Sequence, residues 1–292
     1  MLSPPFYIAS HIKQADACLN FSSSILPALA RLSGAETMDN RQRLDPHIPV
    51  FVFEGVVPSH LLETINASID AARHEWRPPD GRRESTQASR FAELLRTAES
   101  FAKMEIQVCT AARRWAASVL GRKLDGEPCC VLRRVDQSIP GQSYLRHFDS
   151  HILTILVPLQ MAGTGECNGD LMVCLEQRKR VSAFTHVVVK TWLCIEHRFP
   201  FSIRRILIAL HGYRRRYERI TCMPGNVYVF NGLITLHHNL HVASGERRSL
   251  IIHYYDPGLA SGARSAISKL RMLGDQAGDW FSRGRQGGSQ SP

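Results

Sequence analysis

Residues 223–249 read MPGNVYVFNGLITLHHNLHVASGERRS. The segment opens on a Pro224-Gly225 turn signal, alternates through Asn226–Phe230 as a half-buried strand does, and turns again between Ala243 and Glu246 before Arg247. Working outward, further short apolar or alternating runs stand at Cys130–Val135, Ile152–Leu159, Asp170–Leu175, Val187–Leu193 and Arg248–Tyr255, separated by Pro140-Gly141 and Asn168-Gly169. Each predicts a strand. Upstream, His47–Glu54 predicts an entry strand, and Val57-Pro58-Ser59 a turn with Ser59 as N-cap. Leu61, Leu62, Ile65 and Ile69 then carry a helix, residues 75–90 have loop composition, and Phe91–Leu120 returns to helical spacing. A helical preface followed by many short strands predicts a mainly β barrel or jelly roll with helices packed on one side.

The composition fits that expectation. In 292 residues, 44% are hydrophobic, 21% charged and 8% aromatic, which excludes a disordered, collagen-like or coiled-coil chain. The longest apolar stretch, Ile152–Leu159, is far shorter than the roughly 20 residues of a spanning helix. Eight cysteines without a CxxC, including the adjacent Cys129 and Cys130, point to a reducing cytoplasm. The net charge of +10 is concentrated: seven arginines between Arg198 and Arg219 face Glu218 alone, and the tail after Leu259 adds another basic cluster. Such clusters suit an anionic substrate, nucleic acid or a membrane surface, while the ordinary reading is a solvated basic face. The expected layout is an N-terminal extension (1–47), one main domain (48–258) and a basic C-terminal helix and tail (259–292). Within the domain, 58–125 give helical support, 127–256 the β core, and about 176–221 a basic insertion expected to form a lid or substrate-recognition surface.

His147-Phe148-Asp149 is the first chemically informative group, because side chains two apart in an extended segment share a face and can meet one metal ion. A distal histidine from the 223–249 segment completes two imidazoles and a carboxylate, the set that leaves three positions open on a non-haem Fe(II). Spacing alone leaves the register ambiguous. His237, His238 and His241 compete for the distal position, and both His237 to Arg247 and His238 to Arg248 are ten residues.

His147-x-Asp149, Asn168-Gly-Asp-Leu171, Pro224-Gly-Asn-Val-Tyr-Val-Phe230, and His237 followed by Gly245-x-Arg247-x-Ser249 together resemble the Fe(II)/2-oxoglutarate-dependent dioxygenases, in particular their prolyl 4-hydroxylase-like branch. The resemblance spans about residues 48–256 and implies a double-stranded β-helix with Fe(II), 2-oxoglutarate and O2 as cofactor and co-substrates. It selects His147, Asp149 and His237 as metal ligands, Arg247 for the C5 carboxylate of 2-oxoglutarate, and Ser249 beside it. Tyr144, and more weakly Thr154, are expected as co-substrate contacts; His238, His241 and His151 become neighbours of the site. The implied reaction hydroxylates a C–H bond while 2-oxoglutarate becomes succinate and CO2. Asp149 argues against a halogenase, in which a small residue replaces the carboxylate. Six residues beyond Arg247 stands His253 where the base-repairing demethylases carry a second arginine, which disfavours nucleic acid. An amino acid, a peptide or a small biosynthetic intermediate, with an anionic one accommodated, is the expected substrate. The alternatives are a non-catalytic 2-oxoglutarate or metal sensor and a zinc-dependent hydrolase on the same barrel.

Overall fold

The structure, a computed structural model, describes residues 19–20, 41–43, 48–72, 82–121, 123–124, 126–136, 143–163, 168–214 and 216–259. Most of the expected N-terminal extension, and the basic tail from 260 onward, lie outside the described residues. Short strands β1 (Leu19–Asn20), β2 (Arg41–Arg43) and β3 (Phe51–Phe53) precede three helices: α1 (Ser59–Ala71), α2 (Arg82–Arg96) and α3 (Glu99–Leu120). Then follow β4 (Cys129–Asp136), β5 (Leu153–Gln160), β6 (Leu171–Cys174), β7 (Arg180–Val181), α4 (Ala183–Glu196), α5 (Phe201–Arg214), β8 (Tyr217–Ile220), β9 (Val227–Phe230), β10 (His237–Asn239) and β11 (Glu246–Tyr254).

The strand order identifies the architecture. A six-stranded antiparallel sheet runs β2-β3-β9-β5-β11-β4, and a three-stranded one runs β10-β6-β8. An isolated bridge between His147 and His237 adds the 147 segment to the outer side of β10. From β4 the chain passes to the 147 segment in the small sheet, then to β5 in the large sheet. It returns through β6 and β8 to the small sheet, then alternates again through β9, β10 and β11. That alternation between two sheets is a double-stranded β-helix, the jelly roll expected from the sequence.

Strand alternation splits the core in two. Ile155, Val157, Val229, Leu250 and Ile252 on one face of the large sheet pack with Ile65, Ile69, Leu95, Phe101 and Met104 of α1–α3. Leu156, Tyr228 and Phe230 on the other face meet Leu171, Val173 and Ile220 from the small sheet. At roughly 25 cal/mol per Å2 of apolar surface, each fully buried Leu, Ile or Phe contributes on the order of 1.5–3 kcal/mol. The helical support is thus a structural half of the core. Among the described residues, no helix is long and apolar enough to cross a membrane.

Three sequence expectations are corrected. Residues 82–90 are helical, not loop, because Ala88, Phe91, Ala92 and Leu95 are buried at helical spacing and packing overrides a polar composition. The Val187–Leu193 run lies in α4, not in a strand. Its β-branched valines suggested a strand, but Ser182 and Thr185 form a capping box, and His186 and Leu193, seven apart, turn inward. α1 starts at Ser59 with Pro58 in the N-cap position, so Ser59 is the first helical residue and makes no capping bond.

Candidate metal centre

Backbone pairing brings the two distant histidines together. His147 and His237 exchange both backbone hydrogen bonds, at 3.0 and 3.1 Å, which sets their rings 4.2 Å apart on one face of the small sheet. Asp149 arrives from two residues further on, held by its N–H donating to the Gly232 carbonyl at 2.9 Å. Its Oδ1 lies 3.6 Å from His147 Nε2 and 3.7 Å from His237 Nε2, and the three ligand atoms fall within 4.8 Å of one another. Among the described residues, this is the one cluster of histidine, cysteine or carboxylate able to surround an ion.

The hydrogen bonds around the trio present lone pairs inward. His147 Nδ1 donates to the Leu145 carbonyl at 2.8 Å and His237 Nδ1 to the Thr235 carbonyl at 3.0 Å. A carbonyl only accepts, so each neutral ring carries its proton on Nδ1 and turns an unprotonated Nε2 toward Asp149. Thr154 donates its hydroxyl to Asp149 Oδ2 at 2.5 Å, leaving Oδ1 for the shared centre. Burial of the ring, then the neighbouring His237, holds His147 well below the usual imidazole range. Burial alone would raise the Asp149 carboxyl, but His237, His253, His147 and the Thr154 hydroxyl outweigh it and keep it well below the ordinary carboxylate range. Two neutral imidazoles and one carboxylate facing one point are a donor set suited to a divalent transition metal.

The same interior holds a buried cation. Arg247 is 2% exposed and Ser249 fully enclosed, and neither Arg247 Nε nor Ser249 Oγ has a hydrogen-bond partner. Orphaned buried donors are costly, so the pair is fitted to an acceptor that enters from outside. Burial presses the Arg247 guanidinium down to about 10, which leaves it charged at neutral pH. Gly169, at φ +84°, makes room for it, because a Cβ there would stand 2.6 Å from Arg247 Cδ.

Alternation separates the ambiguous doublets. His237 turns toward Asp149, whereas His238 is buried on the opposite side of β10, against the rings of Tyr144 and Tyr217. Arg248 likewise points away from the barrel interior and is paired with Asp70 of α1 and with Glu246 at 2.8 Å. Tyr144 occupies a left-handed turn at φ 58° and packs its ring on Phe201 and His238. His241 lies 3.3 Å from the Ser143 hydroxyl and edge-on to Phe201, on the same outer side.

Sequence reasoning missed two residues near the trio. His253, on the same face of β11 as Arg247 and Ser249, stands 3.2 Å from Thr154 Oγ1 and 3.8 Å from Asp149 Oδ2, and His151 stacks on it at 5.0 Å. Arg133 of β4 is paired in register with Ser249. Counting by twos from Arg247 reaches His253; no comparable signal marks Arg133, whose strand had no motif.

Much of the basic insertion becomes the two helices α4 and α5, held against the segment that carries His147 and Asp149. Glu196 of α4 takes both ends of the buried Arg146 guanidinium, one contact being Nε to Oε1 at 2.8 Å. His197 Nε2 donates to the Arg146 carbonyl at 2.7 Å, Arg204 to the Ser143 carbonyl at 2.9 Å, and Lys190 to the Ser150 hydroxyl at 2.5 Å. Arg219 is tied to buried Asp170 at 2.8 Å. Part of the expected basic surface is thus engaged internally, while the outer face shows Phe184, Val188, Trp192, Ile203, Ile206 and Leu210.

No family model and no curated protein matches the chain. Among solved structures it is similar to a Pseudomonas putida prolyl-4-hydroxylase, at 13% identity and a TM-score of 0.40, over 81% of this chain and 97% of that one. It is also similar to a Trichoplax adhaerens prolyl hydroxylase solved in complex with a hypoxia inducible factor oxygen degradation domain peptide fragment, at 12% identity and a TM-score of 0.43, over 81% and 94%. A third, among the prolyl 4-hydroxylases from Phytophthora capsici, shares 11% identity with a TM-score of 0.39, over 72% and 59%. The fold assignment rests on the strand order described above.

Proposed function

We propose that the protein is an Fe(II)- and 2-oxoglutarate-dependent dioxygenase that hydroxylates an unactivated C–H bond of an amino acid, a peptide or a small biosynthetic intermediate. The observation that carries this reading is one barrel interior holding both a His-Asp-His donor set and an unpartnered buried arginine beside a serine. His147, Asp149 and His237 would hold the metal, and Arg247 with Ser249 would take the distal carboxylate of 2-oxoglutarate. Bound iron supplies oxygen activation coupled to decarboxylation of the 2-oxo acid, with succinate and CO2 released. The protein's own work is positional. The Leu145 and Thr235 carbonyls fix both imidazole tautomers, and Thr154 orients the carboxylate. The planar guanidinium of Arg247 matches a carboxylate in two parallel hydrogen bonds, which an ammonium would make less specifically.

The test is anaerobic addition of Fe(II) and 2-oxoglutarate, followed through the weak visible charge-transfer band of the chelate. The band is expected in the wild type and in His238→Ala, and lost in His237→Ala; Arg247→Ala should need much more 2-oxoglutarate to reach it. Succinate release separates an enzyme from a sensor that only binds. Absence of the band in every protein, with zinc bound and activity independent of oxygen, would overturn the reading in favour of a hydrolase.

A further inference from the structure

We propose that Arg133 is a second carboxylate anchor in the barrel, lying between Arg247 and the metal trio, a proposal that rests on the reading of this cavity as a 2-oxo-acid site. Register is the first argument. Arg133 pairs with Ser249 while Arg247 pairs with Val135, so Arg133 and Arg247 share the inward face of adjacent strands, one side-chain level apart. On a strand that step is roughly 6.5–7 Å, within the span of a small dicarboxylate.

Surroundings are the second. Level with Ser249, Arg133 stands between Arg247 and His253, which lies 3.8 Å from Asp149 Oδ2, and its charge bears on Asp149, His147 and Arg247. It is half-buried, and among the described residues no hydrogen bond or ion pair engages it. The nearby carboxylates do not serve it. Asp149 is aimed by Thr154 at the two histidines, and Asp170 is taken by Arg219 and by the Cys222 N–H at 2.9 Å. Glu246 lies on the opposite face of β11, with Arg134 and Arg248.

Charge balance is the third. Two arginines and a divalent ion exceed Asp149 by three positive charges, and a 2-oxo dicarboxylate cancels two of them. A cavity with low-dielectric walls favours filling the remainder with an anion. The chemistry that fits Arg133 is therefore a carboxylate. It has two sources: the C1 carboxylate of the 2-oxo acid beside the metal, or a carboxylate on the primary substrate.

The test uses the full chain as wild type, Arg133→Met, Arg133→Lys and Arg247→Met, loaded anaerobically with Fe(II), with melting curves to show that each is folded. Calorimetry measures binding of 2-oxoglutarate and of 2-oxobutyrate, which lacks the distal carboxylate. Acetate is compared with acetamide, with and without saturating 2-oxoglutarate. If Arg133 meets C1, Arg133→Met weakens both 2-oxo acids by about tenfold or more, as loss of a charged hydrogen bond does, while Arg247→Met weakens 2-oxoglutarate alone. If it meets the primary substrate, 2-oxo-acid binding is unchanged, and Arg133→Met instead abolishes the preference of the 2-oxoglutarate-loaded protein for acetate over acetamide. Arg133→Lys restores part of the affected binding in either case, and stands in for the Met variant if that one does not fold. A folded Arg133→Met whose constants all stay within twofold of wild type overturns the proposal. Should the wild type bind neither 2-oxo acid, the function proposed above fails, and the acetate comparison without 2-oxoglutarate still decides whether Arg133 holds a carboxylate.

Discussion

Gly232→Ala should abolish tight metal binding without touching a ligand. A Cβ at this position would lie 2.1 Å from Asp149 Oδ2, 2.4 Å from Thr154 Oγ1 and 2.7 Å from Asp149 Cβ, whereas ordinary contact begins at 3.4 Å. Relief requires the carboxylate to retreat by about 1.3 Å, and rotation of the side chain alone does not clear the contact with Asp149 Cβ. The backbone has little slack, because Asp149 N–H is already bonded to the Gly232 carbonyl at 2.9 Å. Metal–ligand distances tolerate only about 0.2 Å, so one of three protein ligands is effectively withdrawn. The expected loss of Fe(II) or Co(II) affinity is at least about 100-fold, beyond the 10–100-fold typical of outer-shell changes. Overpacking adds a stability cost of about 1–3 kcal/mol. Competition against a fluorescent chelator reads the affinity, and thermal melting reads the fold. Gly55→Ala is the control: its backbone sits at φ +61°, which an L side chain strains, but a Cβ there meets no atom within 4 Å, so it should lose stability and keep its metal. A Gly232→Ala protein that binds metal within threefold of wild type would refute the steric argument and displace Asp149 from the centre.

Three further predictions follow from the same contacts. Thr154→Val removes the donor to Asp149 Oδ2 at nearly constant shape, and metal affinity should fall by about 10–100-fold in the same competition assay. Arg146→Met or Glu196→Gln breaks a pair whose side chains are 7% and 2% exposed; each should cost about 3–5 kcal/mol in urea unfolding, and the double variant less than the sum. His186 is fully buried, and burial, then Lys190 and Arg178, lower it from the ordinary 6.5 to about 3. Between those values the unfolded chain binds a proton that the folded chain refuses, so this stability is fully present above pH 6.5 and is lost as pH falls toward about 3. Melting temperature against pH should therefore fall less steeply on the acid side in His186→Gln; an unchanged slope would show that His186 does not contribute.

The sequence made the strands of the large sheet legible because their two faces are buried against different partners, which leaves short apolar runs bounded by turn residues. Spacing marked His147 and Asp149 as a pair on one strand face, and the family resemblance selected His237 and Arg247. The adjacent doublets His237-His238 and Arg247-Arg248 hid the register from spacing alone, since both pairs satisfy the same interval of ten. Strand alternation resolves what spacing cannot, by sending one member of each doublet inward and the other to a structural partner. What stayed illegible depends on long-range packing. The N-terminal turns of α2 are polar enough to pass for loop until Ala88 and Leu95 meet the neighbouring helices and the large sheet. Tyr144 stands three residues before His147 in sequence, and its ring contacts with Phe201 and His238 come from segments that sequence spacing does not connect to it. Arg133 lies in an unremarkable strand and acquires meaning only from the residue opposite it.

The Arg146–Glu196 clasp ties α4, and the helix pair it belongs to, to the barrel. Cutting away α4 and α5 to obtain a minimal scaffold would strip the Arg146 guanidinium of its counter-ion, one residue from His147. It would also free the Ser143 and Arg146 carbonyls that Arg204 and His197 now occupy. A transplant of this centre into another protein must therefore carry the helix pair with it, or replace Arg146 and the donors to both carbonyls in the same step.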